Sequence, residues 1–333
     1  MTQSPVRFAI LGFGHHAVRR LLPAFLQCKD STLVGMWRRD QTAAAKDCAA
    51  HNITHCFATR EELCASPEVD VVFITSPDAM HKDDVLLALR HGKAVLCEKP
   101  LSMNTAEAQE MSEAAKGAGL LFGVGQNFRF NHTLDWMREQ VAAGRIGQPQ
   151  MAHAEYAYPA GTAPRKWITD STLACGGPIA DVGVHCIDAL RYVLGEDVVS
   201  VSTLARRDDS SGKVEAVASL QLEMTGSVYA NVTVSARAPY RTLIEITGSD
   251  GVLVAENGLT VDRPVQLELW RAGELVETVT LENGDGYVRM LDSFAQVFRG
   301  TGVFAASGED GVRNMRALDA AYKSWQSGLR EII

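Results

Sequence analysis

The glycine-rich segment near the N-terminus constrains the fold of this chain most strongly. An apolar run at Val6–Leu11 leads directly into the motif GFGHHA at Gly12–Ala17, and helical periodicity continues to Cys28. Gly12 permits a tight turn, and Gly14 lets the backbone approach a pyrophosphate held at the positive end of the helix. In this context the motif predicts a dinucleotide-binding site, and an ordinary strand-to-helix turn is the alternative.

The following residues repeat the alternation of strand and helix. Val69–Ile74 is a continuous apolar run, as expected of a strand that is buried on both faces. Further strands are expected at Leu33–Trp37, Ala94–Cys97 and Leu120–Val124, and helices at Thr42–Ala50, Val85–Arg90 and Ala106–Lys116. Repeated strand–helix units imply a parallel sheet with right-handed crossovers. We therefore predict an α/β fold that begins with an NAD(P)-binding Rossmann domain over residues 1–125.

The pattern changes near residue 126. Period-two alternation predicts strands at Val198–Leu204, Ala216–Glu223, Ser227–Ser235, Thr242–Thr247 and Leu267–Arg271. Helices are expected at Ile179–Leu194 and Val288–Phe298, and Ser307 is expected to cap a last helix. The sequence thus predicts a second domain over residues 126–306, whose mostly antiparallel sheet has one solvated or interface face, and a C-terminal helix over residues 307–333.

Composition and charge exclude several classes of function. The formal net charge of −8 would repel a nucleic acid. No apolar run approaches the roughly 20 residues that cross a bilayer, and the N-terminus lacks the features of a signal peptide. The seven cysteines are scattered without a CxxC pair, which favours reduced thiols over disulfides or a metal site. We expect a cytoplasmic protein with no metal, membrane or nucleic-acid partner.

The loop after the second predicted strand bears on the choice of cofactor. This strand ends in Trp37-Arg38-Arg39-Asp40, with Arg38 where an acidic residue would bind a free ribose 2′-hydroxyl. An arginine fork fits a 2′-phosphate, so Arg38 and Arg39 predict a preference for NADP(H) over NAD(H). The alternative is that both arginines lie in a solvated loop and that Asp40 binds the ribose.

Two polar groups are candidates for chemistry. Glu98 and Lys99 close a buried strand, at the end that faces the cofactor in such sheets. They are either a cation held beside the substrate or a surface ion pair of little consequence. Asp181, His185 and Asp188 share one face if their segment is helical. They form either a polar pocket or a core histidine that is satisfied by Asp188.

Together these motifs resemble the glucose–fructose oxidoreductase/inositol dehydrogenase (Gfo/Idh/MocA) family. They follow the family order along nearly the whole chain: GFGHHA at Gly12–Ala17, SPDAMH at Ser76–His81, CEKP at Cys97–Pro100, NFRFN at Asn127–Asn131, GRIGQP at Gly144–Pro149 and DVGVHCID at Asp181–Asp188. The chain departs from the family pattern at Arg38, where an aspartate is common, and at Pro178, where a third glycine is common.

The resemblance implies a site and an assembly. It places Lys99 beside the nicotinamide and the substrate, Asp181 and His185 in the substrate pocket, and a cis bond before Pro100. It also implies that residues 126–306 are an α/β domain for substrate binding and oligomerisation, whose large, mostly antiparallel open sheet forms the face of a homodimer or homotetramer. The last helix is implied to pack back on the first domain. The predicted cofactor-binding residues are Gly12, Phe13, Gly14, His15, His16, Arg38, Arg39, Ser76, Pro77, His81, Glu98 and Lys99. The predicted substrate-binding residues are Lys99, Arg129, Trp167, Asp181 and His185, and the alternative for Trp167 is core packing.

The residue types suit hydride transfer at an alcohol carbon. His185 is suited to take the hydroxyl proton, because imidazole titrates near neutrality. Lys99 can stabilise negative charge on the oxygen or relay the proton, and Asp181 can orient either group. Which of Lys99 and His185 transfers the proton stays open. Substrate choice is expected to depend on residues 158–166 and 237–240.

We therefore predict an NAD(P)-dependent dehydrogenase or reductase that acts on a sugar, an inositol or a related polyol or ketone. The first alternative is a hydrolase or lyase of the same fold that retains NAD(P). The second is a non-catalytic regulator that senses the dinucleotide. The presence of Lys99 and His185 argues against the regulator, since a sensor does not need groups that transfer protons.

Overall fold

A computed structural model describes residues 4–162, 166–209, 211–261 and 263–333. Residues 163–165 of the predicted specificity loop lie outside these ranges. The chain divides into two compact units. The first unit comprises Met1–Gly125 with Tyr287–Val312, and the second comprises Gln126–Gly286 with Arg313–Ile333. The functional boundaries drawn at residues 125 and 306 stay predictions.

The first unit contains, within the described ranges, a six-stranded parallel sheet with the order β3-β2-β1-β4-β5-β6. Its strands are β1 (Val6–Leu11), β2 (Ser31–Trp37), β3 (His55–Cys56), β4 (Val71–Ile74), β5 (Ala94–Cys97) and β6 (Phe122–Val124). The order reverses between β1 and β4, and ligands bind such sheets at this switch point, beside the carboxyl ends of the strands. The prediction of a Rossmann domain is confirmed.

The first helix of this unit is α1 (Leu22–Phe25), which extends a π-helical turn at Ala17–Leu21. The others are α2 (Gln41–His51), α3 (Arg60–Ala65), α4 (His81–Arg90), α5 (Thr105–Ala118) and α8 (Gly286–Phe298), which lies between β14 and β15 in sequence. The side chains of Asp40, Thr59 and Asn104 accept backbone N–H groups at the starts of α2, α3 and α5. These bonds satisfy donors that have no partner inside a helix.

Residues 287–312 belong to the first unit because their aromatic side chains fill its core. Phe294 packs edge-on against Phe8 and Phe304, with ring centroids 6.1 Å and 5.0 Å apart. Gly123 on β6 leaves room for Phe304, whose ring would lie 2.5 Å from a Cβ at that position. The segment therefore closes the core of the sheet from which it is distant in sequence.

The second unit contains, among its described residues, a nine-stranded sheet with the order β14-β13-β12-β11-β7-β10-β9-β8-β15. Its strands are β7 (Pro149–Ala157), β8 (Val198–Arg206), β9 (Val217–Met224), β10 (Tyr229–Ser235), β11 (Arg241–Gly248), β12 (Val252–Glu256), β13 (Pro264–Arg271), β14 (Glu274–Glu282) and β15 (Glu331–Ile332). Only the β7–β10 pair is parallel in the described ladders. The predicted fold class, with its mostly antiparallel second sheet, is confirmed.

The helices of the second unit are α6 (His132–Ala142) before β7, α7 (Val184–Leu194) between β7 and β8, and α9 (Gly308–Ser327) before β15. The first residues of α9 belong to the first unit. α7 continues a π-helical turn at Ile179–Gly183, so the predicted helix Ile179–Leu194 is present with a widened first turn. Ser307 accepts the N–H of Asp310 at 3.2 Å, which confirms the predicted cap. In the described parts of the chain, no helix is both long and apolar enough to cross a bilayer.

Candidate active site

The glycine turn joins the ends of three strands. The N–H groups of Gly12 and Phe13 both donate to the carbonyl of Trp37, at 3.0 Å and 2.9 Å. Gly12 has a φ of +96°, and a Cβ there would lie 2.5 Å from the backbone nitrogen of Ser76. The protein itself therefore requires a glycine at position 12.

Gly14 differs, because no protein atom requires it. A Cβ at this position would have its nearest neighbour, the carbonyl oxygen of Gly12, at 3.7 Å. The first N–H groups of the helix that follows have no intrahelical partner and favour an anion. His15 is exposed beside them, whereas the side chain of Phe13 is buried. Open space next to these donors fits the pyrophosphate of a dinucleotide.

A carboxylate links the glycine turn to the end of β5. The His16 ring lies 3.0 Å from Glu98, Nε2 to Oε1, and the backbone N–H of Lys99 donates to the same carboxylate at 3.2 Å. Burial disfavours the charged form of Glu98, but the charge and hydrogen bond of His16, with the charge of Lys99, outweigh burial and lower the pKa of this carboxyl. Glu98 is thus an anion whose side chain is 12% exposed, beside the half-buried Lys99. The Lys99–Pro100 peptide bond is cis, as expected.

Ser76 and His81 make the hydrogen bonds that stabilise the turn after β4. Both side chains are buried, and the two His81 ring nitrogens lie 2.9 Å from the Ser76 carbonyl and 3.0 Å from the Pro100 carbonyl. The Ser76 hydroxyl donates to Asp84 at 2.7 Å, and Arg60 donates to the same carboxylate at 2.7 Å. His81 therefore connects the two strand ends, whereas Pro77 of the same motif is half-buried. Direct contact of His81 with a cofactor stays a prediction.

The loop after β2 presents its two arginines differently. Arg38 is half-buried and donates to Asp47 on α2 at 2.5 Å, and Arg39 is exposed. Asp40 accepts the N–H of Ala43 at 3.0 Å and so caps α2. Asp40, the alternative residue for binding the ribose, therefore caps a helix in this structure.

In the second unit, aromatic rings surround the predicted catalytic pair. Asp181 lies in the π-helical turn and accepts a short hydrogen bond from the Tyr158 hydroxyl at the end of β7. The His185 ring packs edge-on against Phe128, with centroids 4.7 Å apart, and lies roughly parallel to Tyr156 at 6.3 Å. Asp181 and His185 are each only 7% exposed. The structure thus places both residues in one buried helical segment, next to aromatic side chains.

Arg129 and Asp188 form a buried ion pair in the second unit. Arg129 donates to both carboxylate oxygens of Asp188, at 2.8 Å and 2.7 Å, and Asn314 adds a third bond at 2.8 Å. Arg191 donates to Asn314 at 2.8 Å. Asp188 is therefore committed to a network of strong hydrogen bonds. Substrate binding by Arg129 stays a prediction, and the geometry shows it as a support for α7.

The loops expected to select the substrate are partly described. Trp167 is half-buried in a 3-10 turn at Lys166–Thr169. Arg237 donates to Asp208 at 2.6 Å and 2.9 Å, and Tyr240 is 39% exposed, with its ring edge-on to Tyr156 at 6.0 Å. Tyr240 therefore extends the aromatic wall beside His185.

Sequence reasoning missed three residues of this arrangement. Tyr156 lies on β7 and Tyr158 directly follows this strand, but only Tyr158, the first residue of the predicted specificity segment, was expected near the pocket. Asn314 and Glu215 reach the helix of Asp181 from distant parts of the chain. No local pattern marks these two contacts, whereas the alternation in β7 would have identified Tyr156.

Comparisons with known proteins agree with the fold of the two units. Residues 6–126 match the family model described as "Oxidoreductase family, NAD-binding Rossmann fold", and residues 135–254 match the GFO/IDH/MocA C-terminal domain. The 1,5-anhydro-D-fructose reductase of Ensifer adhaerens is 32% identical over 80% of this chain and 81% of its own length. The scyllo-inositol 2-dehydrogenase (NADP(+)) of Bacillus subtilis is 28% identical over 81% of each protein.

A solved structure gives the same architecture. The aldose-aldose oxidoreductase from Caulobacter crescentus, crystallised with glycerol, superposes with a TM-score of 0.90. The match covers 99% of this chain and 100% of the other, at 23% sequence identity. At this level of identity the likeness concerns the fold alone.

The two glycines of the turn generate a paired prediction. Gly12→Ala is expected to lower the free energy of unfolding without cofactor by more than about 2 kcal/mol, because the backbone must move. Gly14→Ala is expected to leave that stability nearly unchanged but to weaken NADPH binding by about tenfold or more, because its Cβ enters the open space. Chemical denaturation and NADPH titration measure the two effects. Equal effects of both variants on stability would contradict the assignment.

Proposed function

The chain belongs to the GFO/IDH/MocA oxidoreductase family, and we propose that it transfers a hydride between NADP(H) and a CH–OH carbon of a sugar, an inositol or a related polyol or ketone. The single observation that carries the proposal is the position of Lys99, half-buried at the carboxyl end of β5 beside the anion Glu98. An ammonium at this edge of a Rossmann sheet suits a substrate oxygen whose charge changes during the reaction.

The residues of the glycine turn fit a dinucleotide. Gly14 leaves the space for its pyrophosphate, and the helix that begins after it supplies N–H donors. The bound nicotinamide supplies or accepts the hydride. His16 and Glu98 would hold Lys99 in place, since they join the turn to the loop that carries it.

The second unit supplies the proton chemistry. His185 would accept the hydroxyl proton when an alcohol is oxidised and return it when a ketone is reduced. Asp181, held by Tyr158, would orient the imidazole or a substrate hydroxyl. The aromatic wall of Phe128, Tyr156 and Tyr240 offers the face that a ring-shaped carbohydrate packs against. Lys99 is the alternative proton donor, and the prediction below separates the two.

Arg38 supports the preference for NADP(H). Its guanidinium lies after β2 and pairs with Asp47, and a 2′-phosphate would compete for the same donors. Asp40 is occupied as a helix cap, which weakens the reading in which it binds a ribose hydroxyl. The related scyllo-inositol dehydrogenase carries NADP(+) in its name.

The preference for NADPH is tested with Arg38→Ala. The ratio of kcat/KM for NADPH to that for NADH is expected to fall by about 10- to 100-fold, the worth of one or two charge-assisted hydrogen bonds. Arg90→Ala, which removes an exposed arginine at the end of α4, is the matched control. An unchanged ratio in the Arg38 variant would refute the assignment.

The catalytic roles are tested on a panel that includes 1,5-anhydro-D-fructose, scyllo-inositol and aldoses. Lys99→Ala and His185→Ala are each expected to lower kcat by about 10²- to 10⁴-fold and to change NADPH affinity far less. If His185 is the proton donor, His185→Ala is expected to abolish the dependence of kcat on pH near neutrality, where imidazole titrates. If this dependence survives in His185→Ala, Lys99 is the donor. His153→Ala, which removes a half-buried histidine on β7 of the second sheet, is the control. Full turnover by either variant would remove that residue from the mechanism.

Two alternatives have distinct signatures in the same assays. A cofactor-retaining hydrolase or lyase would form product with no net change in NADPH. A dinucleotide sensor would bind NADPH and turn over nothing on the panel.

We further propose that the chain forms a homodimer or homotetramer through the open face of its nine-stranded sheet. Tyr229 on β10 and Met151 on β7 lie opposite each other and are 63% and 57% exposed. Apolar side chains side by side on a sheet face favour an interface. Light scattering is expected to show two or four chains, and Tyr229→Lys to shift the mass towards one chain. A wild-type mass of one chain would contradict the proposal.

A further inference from the structure

The start of the helix that carries Asp181 and His185 packs against Glu215 and Tyr322 of the second unit. Gly176 and Gly177 precede this helix, and both lie too close to their neighbours for any side chain. A Cβ on Gly176 would lie 1.7 Å from the Tyr322 hydroxyl, and one on Gly177 would lie 2.1 Å from the Glu215 carbonyl oxygen. Tyr322 and Glu215 can therefore pack here only because positions 176 and 177 are glycines.

The Glu215 carboxylate is buried and fully engaged. Its side chain accepts the N–H of Gly177 at 3.0 Å and the N–H of Ile179 at 2.7 Å. The Tyr322 hydroxyl donates to it at 3.1 Å. Glu215 is only 1% exposed, and a buried carboxylate is expensive unless donors of this kind surround it. Three donors offset that cost here.

The position of this carboxylate suits the start of a helix. The first N–H groups of a helix have no partner inside it, and a negative charge at that end is stabilised by the helix dipole. Burial, with the adjacent charge of Glu215, raises the pKa of Tyr322 well above its usual value, so its hydroxyl stays a donor. Pro178, between the two bonded N–H groups, has no N–H of its own.

The turn that Glu215 stabilises contains Asp181. Ile179–Gly183 has π-helical hydrogen bonding, which is wider than an α-helical turn and is common at functional sites. Asp181 lies two residues after the Ile179 N–H that Glu215 accepts, and His185 follows one turn later. A shift of this turn would move the Asp181 carboxylate away from the Tyr158 hydroxyl.

We propose that Glu215, with Tyr322, is a positioning residue that fixes the start of this helix and thereby sets Asp181 and His185 for catalysis. The inference rests on the proposed function, since it assigns these two residues to the reaction. Neither Glu215 nor Tyr322 needs to contact the substrate for this role. The pair acts through backbone N–H groups, so a loss of position rather than a loss of chemistry is expected on substitution.

The test uses Glu215→Gln, which keeps the shape but turns one acceptor oxygen into a donor that faces other donors. The expected result is a fall in kcat of about 10- to 100-fold, as for a small misplacement of catalytic groups. The Kd for NADPH is expected to stay within about twofold, because the glycine turn is untouched. Tyr322→Phe removes one of the three bonds and is expected to give a smaller fall. It also serves if the glutamine variant does not fold.

The control is Glu196→Gln. Glu196 also accepts a backbone N–H, that of Gly226 at 2.9 Å, but it lies just after the C-terminal end of α7, at the opposite end of the helix from Asp181. Its substitution is expected to leave kcat unchanged. A fall in kcat of the same size in the control and in Glu215→Gln would overturn the proposal, since it would reflect a general loss of structure.

Hydrogen exchange gives a readout that does not depend on turnover. Backbone amides in residues 176–184 are expected to exchange about tenfold or more faster in Glu215→Gln than in the wild type. Unchanged exchange would overturn the role of Glu215 in holding the helix, and faster exchange with unchanged kcat would overturn its role in catalysis. If the wild type has no activity on the panel, the proposed function fails, and the exchange data alone decide whether Glu215 holds this turn.

Discussion

The close approach of strand ends around Gly12 is the constraint on which the first unit depends. Trp37 at the end of β2 accepts the N–H groups of Gly12 and Phe13, and Ser76 after β4 leaves no room for a Cβ on Gly12. The glycine turn is therefore closed by protein atoms at Gly12 and open at Gly14. A dinucleotide site results because the helix that starts there presents unpaired donors to that opening.

Buried charges position the polar groups of both units. Glu98 stays ionised in the first unit because His16 and Lys99 outweigh its burial. In the second unit Asp188 and Glu215 receive hydrogen bonds from Arg129, Asn314, backbone N–H groups and Tyr322. Removing one partner from such a network costs far more than a surface pair, because the remaining charge is left without compensation. Hydrogen bonds to these buried carboxylates therefore fix the backbone next to Lys99, Asp181 and His185.

Much of the fold could be predicted because its signals are local. The apolar runs of β1, β4 and β5 and the alternation in β8 to β11 marked the two kinds of sheet, and Ser307 marked a helix start. The strand β7 was missed, since its sequence PQMAHAEYA contains no β-branched residue, yet it lies in the middle of the second sheet. Pairing with β10 and β11 overrides its weak propensity.

The candidate site was predictable only where a motif marked it. Asp181 and His185 were identified from their spacing, but their partners Tyr158 and Glu215 depend on contacts between distant segments. Asp188 was expected on the same face, and the structure shows it bound to Arg129 and Asn314. A widened helical turn at Ile179–Gly183 changes which side chains face together, and no periodicity argument anticipates it.

Direct transfer of hydrogen between cofactor and substrate tests the account most directly. NADPH labelled with deuterium at C4 of the nicotinamide is incubated with the substrate from the panel, and the product is analysed by mass spectrometry. The account predicts that one deuterium appears on the carbon that becomes CH–OH, with one molecule of NADP⁺ formed for each molecule of product. Unlabelled product formed while the labelled cofactor stays bound and reduced would contradict it.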